Sequence, residues 1–336
     1  MKPIAEYEGV DAAAFRDIRG RDAPAVMRGV VREWPAVKRA LEAPDAIAGY
    51  LRAFDNGTKV AALRMPPSAR GRIFYKPNLD GFNYATESAS VSSVLERMAQ
   101  YAPRGNPASI AVLSASIAEC LPGFVEENRN PLLDPSIAPR IWIGNHVITP
   151  AHFDESSNVA CVVAGRRRFT LFPPRAIGDL YIGPIGYAPT GTPISLVDFA
   201  DPDEKRFPRF RDALAIAQSA ELEPGDALYI PPLWWHHVES LAKHNVLVNY
   251  WWKDHAAGAG ADSALDGLLL AILALRHLPP QQRRNWATLF EHYVFGADEA
   301  TAGHIPAHRR GVLGDISPEY ASRVRAFVAA KLREEP

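Results

Sequence analysis

Two short stretches decide the interpretation of this chain: residues 149–154, Thr-Pro-Ala-His-Phe-Asp, and residues 229–237, Tyr-Ile-Pro-Pro-Leu-Trp-Trp-His-His. Alternate side chains of a β-strand share a face, so His152 and Asp154 point the same way with one spacer residue between them. His236 lies in a second strand-like run and can supply a third ligand. Two imidazoles and one carboxylate on one face of an octahedral ion leave its other positions open. The sequence therefore predicts a metal site formed by His152, Asp154 and His236.

This interpretation has a simpler alternative, because an isolated His-x-Asp pair is common by chance and often only hydrogen-bonded. The Trp-Trp-His-His run and a further strand at Leu247–Trp252 favour a metal site of the kind found in non-haem Fe(II) oxygenases. For the histidines without a partner at ligand spacing we expect structural or solvated roles. These are His146, His244, His255, His277, His292, His304 and His308.

Composition limits the classes of protein to consider. The 336 residues include 37 basic and 38 acidic side chains, a balance that does not favour nucleic-acid binding through overall charge. Cys120 and Cys161 are far apart and form no C-x-x-C motif, so neither a disulfide framework nor a structural zinc site is expected. The N-terminal residues do not resemble a signal peptide, and no apolar run reaches roughly eighteen residues. We expect a soluble, cytoplasmic protein without a membrane partner.

The pattern along the chain changes twice. Residues 1–139 alternate strand-like and helical segments, residues 140–254 are rich in β-strand patterns, and residues 255–336 are helical. We expect residues 1–254 to form one domain. In the last part, apolar residues recur at helical spacing in Ser263–Leu278 and Gln281–Phe295, separated by a Pro-Pro break.

Two connections in the β-rich core can be predicted from turn residues. Asn158–Val163 and Arg168–Phe172 flank a short segment that contains Gly165, a pattern that predicts a β-hairpin. Residues 181–212 are rich in Pro, Gly and Asp and predict a long excursion over the mouth of the core. Residues 223–226, Glu-Pro-Gly-Asp, predict a tight turn before the strand that delivers His236.

Five motifs in the core occur in a family's order and at near-family spacing. They are TPAHFDESSN at 149–158, GRRRFTLFPP at 165–174, DPDEKRFPRF at 201–210, EPGDALYIPPLWWHHVESL at 223–241 and VNYWW at 248–252. Together they resemble the cupin-like, JmjC-type 2-oxoglutarate oxygenases, and in particular the asparaginyl hydroxylase branch that acts on hypoxia-inducible factor. The resemblance implies a mostly β fold with flanking helices: a double-stranded β-helix (cupin or jelly-roll) barrel followed by a C-terminal helical element.

The resemblance also implies which residues bind the metal and the co-substrate. Fe(II) would be held by His152, Asp154 and His236, and strand parity likewise places His237 on the opposite face from His236. Hydrogen-bonding partners for 2-oxoglutarate would come from positions that match the family's motif. These are Thr149, Asn158 and Asn249.

Arg167 stands where this branch has a lysine for the distal carboxylate of 2-oxoglutarate. It shares strand parity with Phe169 and Leu171 and should point inward, and a guanidinium can hold a carboxylate through two parallel hydrogen bonds. A tyrosine that the branch uses for the same carboxylate has no counterpart that we can place. Trp251, on the same face as Asn249, would line the metal pocket, although ordinary barrel packing is an equal alternative.

The family chemistry implies an Fe(II)- and 2-oxoglutarate-dependent hydroxylase that consumes O2 and releases succinate and CO2. A metal-dependent lyase or isomerase on the same barrel and a non-catalytic binding module are the alternatives, because fold does not settle function. The match at Asn158, Arg167 and Asn249 favours the oxygenase. Its substrate, a protein side chain or a small molecule, would depend on loops at 75–84 and 181–211.

The C-terminal region, residues 255–336, is predicted to form a homodimer interface. Its helices carry more apolar surface than one barrel edge needs to cover, and members of the resembled branch dimerise through C-terminal helices. The alternative is that these helices pack on their own barrel.

Overall fold

The structure is a computed structural model that describes residues 1–43, 46–254 and 264–333. Contacts between Cα atoms divide the chain into two compact units, Met1–Lys253 and Asp254–Pro336. No helix among the described residues is long and apolar enough to cross a membrane.

Fourteen strands are found in the described residues, all in the first unit. Their bounds are β1 Lys2–Pro3, β2 Ala5–Glu8, β3 Ala25–Arg28, β4 Val60–Met65, β5 Ala85–Ala89, β6 Ser109–Ser116, β7 Pro139–Gly144, β8 Ile148–His152, β9 Ser157–Ala164, β10 Arg167–Phe172, β11 Gln218–Leu222, β12 Ala227–Ile230, β13 Trp235–Ser240 and β14 Asn245–Trp252.

The α-helices divide between the two units. Those of the first unit are α1 Ala12–Arg19, α2 Pro35–Glu42, α3 Ala46–Phe54, α4 Val91–Tyr101, α5 Ile117–Cys120, α6 Phe124–Glu127 and α7 Phe210–Ile216. Those of the second are α8 Ala264–Leu275, α9 Pro280–Phe290, α10 Glu299–Gly303 and α11 Pro318–Arg333. A π-helical turn at Glu291–Phe295 continues α9, and the predicted first residue of α8, Ser263, lies outside the described residues.

The strands form two sheets that pack face to face. The order of the smaller sheet is β1-β11-β10-β13-β8, and that of the larger is β2-β3-β12-β9-β14-β7-β6-β4-β5. Apolar side chains from both sheets share one interior cluster, including Phe169 and Leu171 of β10 and Ala160 and Val162 of β9. The N-terminal strands lengthen both sheets, with β1 at one end of the smaller sheet and β2 and β3 at one end of the larger. The prediction of a mostly β, jelly-roll cupin fold with flanking helices is confirmed, although the two sheets are separate hydrogen-bonded ladders.

β9 shows why the core strands lack a simple polar alternation. All eight of its residues are buried. Alternate residues such as Ala160 and Val162 face the space between the sheets, whereas Val159, Cys161 and Val163 pack under the N-terminal helices. A strand covered on both faces needs apolar side chains at nearly every position.

The predicted hairpin at Gly165 is wrong. β9 pairs with β12 and β14 in the larger sheet, and β10 pairs with β11 and β13 in the smaller one, so the two strands do not pair with each other. Gly165 does adopt the left-handed conformation expected of a turn glycine, with φ of 77°. An added Cβ there would lie 2.4 Å from the carbonyl oxygen of His244. The chain uses this turn to cross between the sheets, a step that local turn chemistry does not distinguish from a hairpin.

Part of the excursion at 181–212 packs on the outer face of the smaller sheet, which its composition did not predict. Val197 and Phe207 of the excursion pack with Phe172 and Trp235 there. Ala151, Phe172 and Trp235 are apolar side chains on this face, and the excursion removes them from water. Its backbone also reaches the edge strand β8, because Ser195 donates a 2.8 Å hydrogen bond to the carbonyl oxygen of Ala151.

The predicted turn at Glu223–Asp226 is present, with a hydrogen bond from the Asp226 amide to the Glu223 carbonyl oxygen. It leads into β12 of the larger sheet, however, and His236 belongs to the following strand, β13. The Pro231-Pro232 segment separates the two strands, since proline cannot donate to a sheet ladder.

Candidate metal centre

Adjacent strands place two histidine side chains opposite each other. His152 at the end of β8 is the direct antiparallel partner of His236 in β13, and their ring centroids lie 4.2 Å apart. Both side chains are buried. The strand register therefore brings together two ligands that are separated by more than eighty residues of sequence.

A shift of register between β8 and β13 places Thr149 on the same side as His152. His236 pairs with His152, but Val238 pairs with Thr149, so β8 contains one more residue than β13 between these two pairings. A bulge of this kind reverses the parity of the strand beyond it. Thr149 and His152 therefore both line one cavity, although they are an odd number of residues apart.

Asp154 completes the group just beyond the end of β8. Its backbone oxygen accepts a 2.8 Å hydrogen bond from the Leu233 amide, which ties it to the loop before β13. Its Oδ2 atom accepts a 3.1 Å hydrogen bond from the Trp251 indole and lies 3.6 Å from His236 Nε2. One ligand atom from each of His152, Asp154 and His236 lies within 4.8 Å of the others, so this group could hold a metal ion.

Backbone carbonyl groups orient both imidazoles toward that point. His152 Nδ1 lies 3.0 Å from the Pro150 oxygen, and His236 Nδ1 lies 3.0 Å from the Trp234 oxygen. A carbonyl oxygen only accepts, so each Nδ1 must carry the proton and each Nε2 is left as a lone-pair donor. Burial, with a smaller contribution from His236, lowers the pKa of His152 to about 4, which keeps its ring neutral for metal binding.

His237 lies on the other face of β13. Its ring stacks on Phe199 of the excursion, with centroids 4.2 Å apart. Burial, followed by the nearby Arg72 guanidinium, lowers the pKa of His237 to about 3. Among the described residues, the group that could hold a metal does not include His237.

A cavity opens beside the three ligands. Its lining contains the three metal-ligand residues and all five residues that we predicted from the sequence to bind or enclose the co-substrate. Those five are Thr149, Asn158, Arg167, Asn249 and Trp251. Apolar walls from Phe169 of the smaller sheet and Leu247 of the larger sheet complete the enclosure.

Arg167 differs sharply from its two neighbours in sequence. Only 8% of it is exposed, and its Nε atom has no hydrogen-bond partner among the described residues. Burial alone lowers the pKa of Arg167 to about 10. By contrast, Arg166 and Arg168 are about half exposed and both lie within ion-pair distance of Glu221.

Two buried side chains of the cavity have polar atoms without a partner among the described residues, and the cation among them, Arg167, indicates a ligand with charged oxygens. Asn158 points its amide nitrogen at Asp154 Oδ2, 3.4 Å away, and its Oδ1 atom has no partner among the described residues. A buried guanidinium without an acceptor is costly, and a carboxylate would satisfy it. This set of residues therefore fits a dicarboxylate beside a divalent metal ion.

One lining residue was missed from the sequence. Trp142 of β7 lines the cavity and donates a 2.9 Å hydrogen bond from its indole nitrogen to Asn249 Oδ1. Strand parity could have identified it, because Ile141 and Ile143 belong to the cluster under the helices and Trp142 must face the opposite way.

Comparison with known proteins agrees with this architecture. The model of the family described as the cupin-like domain matches residues 11–258 of this chain. The chain belongs to this family. The human HSPB1-associated protein 1 is 36% identical over 151 residues, which cover 44% of this chain and 30% of that protein. The lysine-specific demethylase JMJ31 of Arabidopsis thaliana is 37% identical over 105 residues, 31% of this chain and 18% of that protein.

A third relative, the JmjC domain-containing protein D of Dictyostelium discoideum, is 36% identical over 122 residues, 36% of this chain and 26% of that protein. The matched segments span less than a third of these three relatives. The relatives place this cupin-like chain among the JmjC-type proteins, whose members are Fe(II)- and 2-oxoglutarate-dependent oxygenases.

Proposed function

We propose that this protein is an Fe(II)- and 2-oxoglutarate-dependent hydroxylase in which His152, Asp154 and His236 bind the iron. The observation that carries the proposal is the pairing of two features in one cavity: three metal-ligand side chains and the buried, unpaired Arg167. On β10, Arg167 lies four residues from the partner of His236, which is about 13 Å along the strand. That separation leaves room between the metal site and the guanidinium for a dicarboxylate.

The residues of the cavity divide the tasks of holding the co-substrate. Arg167 would take the distal carboxylate of 2-oxoglutarate through its planar fork, while Thr149, Asn158 and Asn249 would contribute hydrogen bonds. Trp251 holds the carboxylate of Asp154 through its indole N–H and thereby orients one metal ligand. Bound iron would supply the redox chemistry with O2, in which 2-oxoglutarate is converted to succinate and CO2 and a substrate C–H bond is hydroxylated.

A lyase or isomerase of the cupin class is the principal alternative. Such an enzyme would use the same metal ligands but would have no need for a buried cation facing a second carboxylate. A binding module without catalysis has even less reason to retain both histidines with their Nε2 atoms directed at one point. The unpaired guanidinium of Arg167 therefore favours the oxygenase.

Anaerobic titration of the purified protein with Fe(II) and then 2-oxoglutarate tests the proposal directly. We expect a weak visible charge-transfer band that saturates with 2-oxoglutarate, because the keto acid would chelate the iron. Asp154→Ala is the matched control and should abolish the band. A protein that binds Fe(II) and shows no band at saturating 2-oxoglutarate would contradict the proposal and favour the lyase or isomerase.

For the substrate we propose a protein side chain in preference to a small molecule. Among the relatives, one is named for association with HSPB1 and another as a lysine-specific demethylase, so the first name refers to a partner and the second to lysine. A lysine or another side chain of a protein would be a substrate of this kind. The two cysteines of this chain are buried and unpaired, which suits a reducing compartment such as the cytoplasm.

The second unit is proposed to form a homodimer interface. Its described helices bury very little: Thr301 and Ala302 are the only buried residues among residues 264–333. Large apolar side chains are instead exposed, including Leu273 and Phe295 at 74% each and Phe327 at 63%. Apolar surface of this extent typically marks an interface. Light scattering on the full chain should give a dimer mass, and a concentration-independent monomer mass would contradict the proposal.

A further inference from the structure

The hydrogen bond from Trp142 to Asn249 joins two side chains that lie diagonally across neighbouring strands. Trp142 is the antiparallel partner of Leu247, and Asn249 is the partner of Arg140. The indole nitrogen and the amide oxygen are 2.9 Å apart, and both residues line the cavity beside the metal ligands.

Chemistry fixes which end of the amide faces the indole. An indole nitrogen can only donate a hydrogen bond, so the atom of Asn249 that receives it must be the oxygen. The amide nitrogen is therefore turned away from Trp142, and it makes no hydrogen bond to a described residue. Without the indole, the amide could rotate by half a turn and present its oxygen to the cavity instead.

The polarity of the amide matters because of the ligand that the cavity fits. A carboxylate accepts hydrogen bonds, so it is stabilised by the NH2 group of Asn249 and repelled by the amide oxygen. The unpaired guanidinium of Arg167 in the same cavity favours the same sign of charge on the ligand.

A second indole restricts the position of the first. Trp142 and Trp251 pack edge to face, with ring centroids 6.1 Å apart and planes at 84°. The N–H of Trp251 is already engaged with Asp154 Oδ2. The pair thus holds two polar groups at once, the carboxylate of a metal ligand and the amide of a co-substrate residue.

We propose that Trp142 is a positioning residue that holds the Asn249 amide with its NH2 group toward the co-substrate carboxylate. This inference rests on the proposed use of 2-oxoglutarate and adds a residue to its binding site. Trp142 would act through Asn249 and not through direct contact with the reacting atoms. The simpler alternative is that Trp142 only fills space, since it also packs against the interior apolar cluster.

A double-mutant cycle separates positioning from packing. We would measure the affinity of the Mn(II)-loaded protein for 2-oxoglutarate by calorimetry, so that no turnover is involved. Trp142→Phe keeps an aromatic ring and removes the N–H, and it should weaken binding by about 5- to 20-fold. In an Asn249→Ala background the same substitution should change the affinity less than about twofold, because the group it orients is gone.

The outcomes are distinct. Equal losses from Trp142→Phe in the two backgrounds would show that the residue only packs, and no loss in either would also overturn the proposal. Failure of the unmodified protein to bind 2-oxoglutarate would instead overturn the proposed function, and this inference with it. Mn(II) affinity and thermal unfolding of each variant show whether the fold is retained.

A second variant tests the amide polarity even where Trp142→Phe fails to fold. Asn249→Asp retains an acceptor for the Trp142 indole and replaces the NH2 group by an oxygen. We expect Asn249→Asp to bind 2-oxoglutarate at least as weakly as Asn249→Ala, because an oxygen would now face the carboxylate. An affinity for Asn249→Asp close to that of the unmodified protein would show that the NH2 group does not face the ligand.

Discussion

Two arginines that are largely shielded from water, one on each side of the smaller sheet, show how a structural side chain differs from a ligand-binding one. Arg72 lies on the outer side and donates hydrogen bonds to the backbone oxygens of Leu196 and Val197, 3.3 and 2.7 Å away. Arg167 lies in the cavity, where its Nε atom has no partner among the described residues. Burial is the main cause that lowers the pKa of each to about 10.

The comparison shows that a perturbed pKa does not by itself identify a binding residue. Arg72 has its acceptors within the protein, together with Asp198 at 3.9 Å and the ring of Phe74 beneath its guanidinium. Its task is to join the loop at residue 72 to the excursion. Arg167 has been removed from water without such partners, which is costly unless a ligand supplies them. The missing partner, and not the burial, indicates the site.

The largest effects are expected at the three metal ligands, with their outward neighbour His237 as the matched control. His152→Ala, Asp154→Ala and His236→Ala should each abolish Fe(II)-dependent 2-oxoglutarate turnover, exceeding the roughly 10- to 100-fold losses typical of residues that only orient ligands. His237→Ala should leave Fe(II) binding largely intact, because its ring stacks on Phe199 on the other face. Fe(II) affinity and succinate release measure these effects. Loss of the metal in His237→Ala with retention in His236→Ala would contradict the assignment.

The next effect concerns the unpaired arginine itself. Arg167→Ala would leave a bound carboxylate without its cation, and we expect a loss on the order of 2 to 5 kcal/mol in 2-oxoglutarate binding with little change in Fe(II) affinity. Arg167→Lys should recover only part of the loss, because an ammonium keeps the charge without the planar fork. The matched controls are Arg166→Ala and Arg168→Ala. Small and equal effects across the three alanine variants would remove Arg167 from the site.

Arg72 should behave in the opposite way. Arg72→Met keeps much of the aliphatic volume but leaves the oxygens of Leu196 and Val197 without a donor, which should cost about 1 to 3 kcal/mol of unfolding free energy. The affinity for 2-oxoglutarate should not change. Denaturant unfolding and calorimetry on the same variant measure both quantities. A variant of unchanged stability and reduced co-substrate affinity would reverse the roles that we assign to the two arginines.

Strand parity explains how much of this could be predicted from the sequence. Within one strand, parity predicts that Arg167 and Arg168 face opposite sides, and that His236 and His237 do so too. The reason is that consecutive residues of a continuous strand point to opposite faces. The same rule would have identified Trp142. Parity fails across a bulge, so the position of Thr149 depends on an extra residue between His152 and Thr149 that the sequence does not reveal.

Long-range pairing was less predictable than parity. The turn at Gly165 reads as a hairpin, yet β9 and β10 lie in different sheets, because the choice of partner depends on strands distant in sequence. The excursion at 181–212 was expected over the mouth because its composition is that of a loop. Composition does not show which surface a loop covers, and part of this loop packs on apolar side chains of the smaller sheet's outer face.

The smallest effect is expected at Arg168, which is one residue from the site and faces water. Its guanidinium pairs with Glu221 at 2.7 Å and Glu239 at 3.5 Å, and hydrogen bonding to Glu221 raises its pKa. The side chain is 42% exposed, so solvent and salt screen these pairs. Arg168→Ala should therefore lower the unfolding free energy by less than about 1 kcal/mol and leave 2-oxoglutarate affinity unchanged. The stability difference should shrink further in high salt. A loss of co-substrate affinity comparable to that of Arg167→Ala would mean that the whole arginine run, and not one inward side chain, attracts the anion.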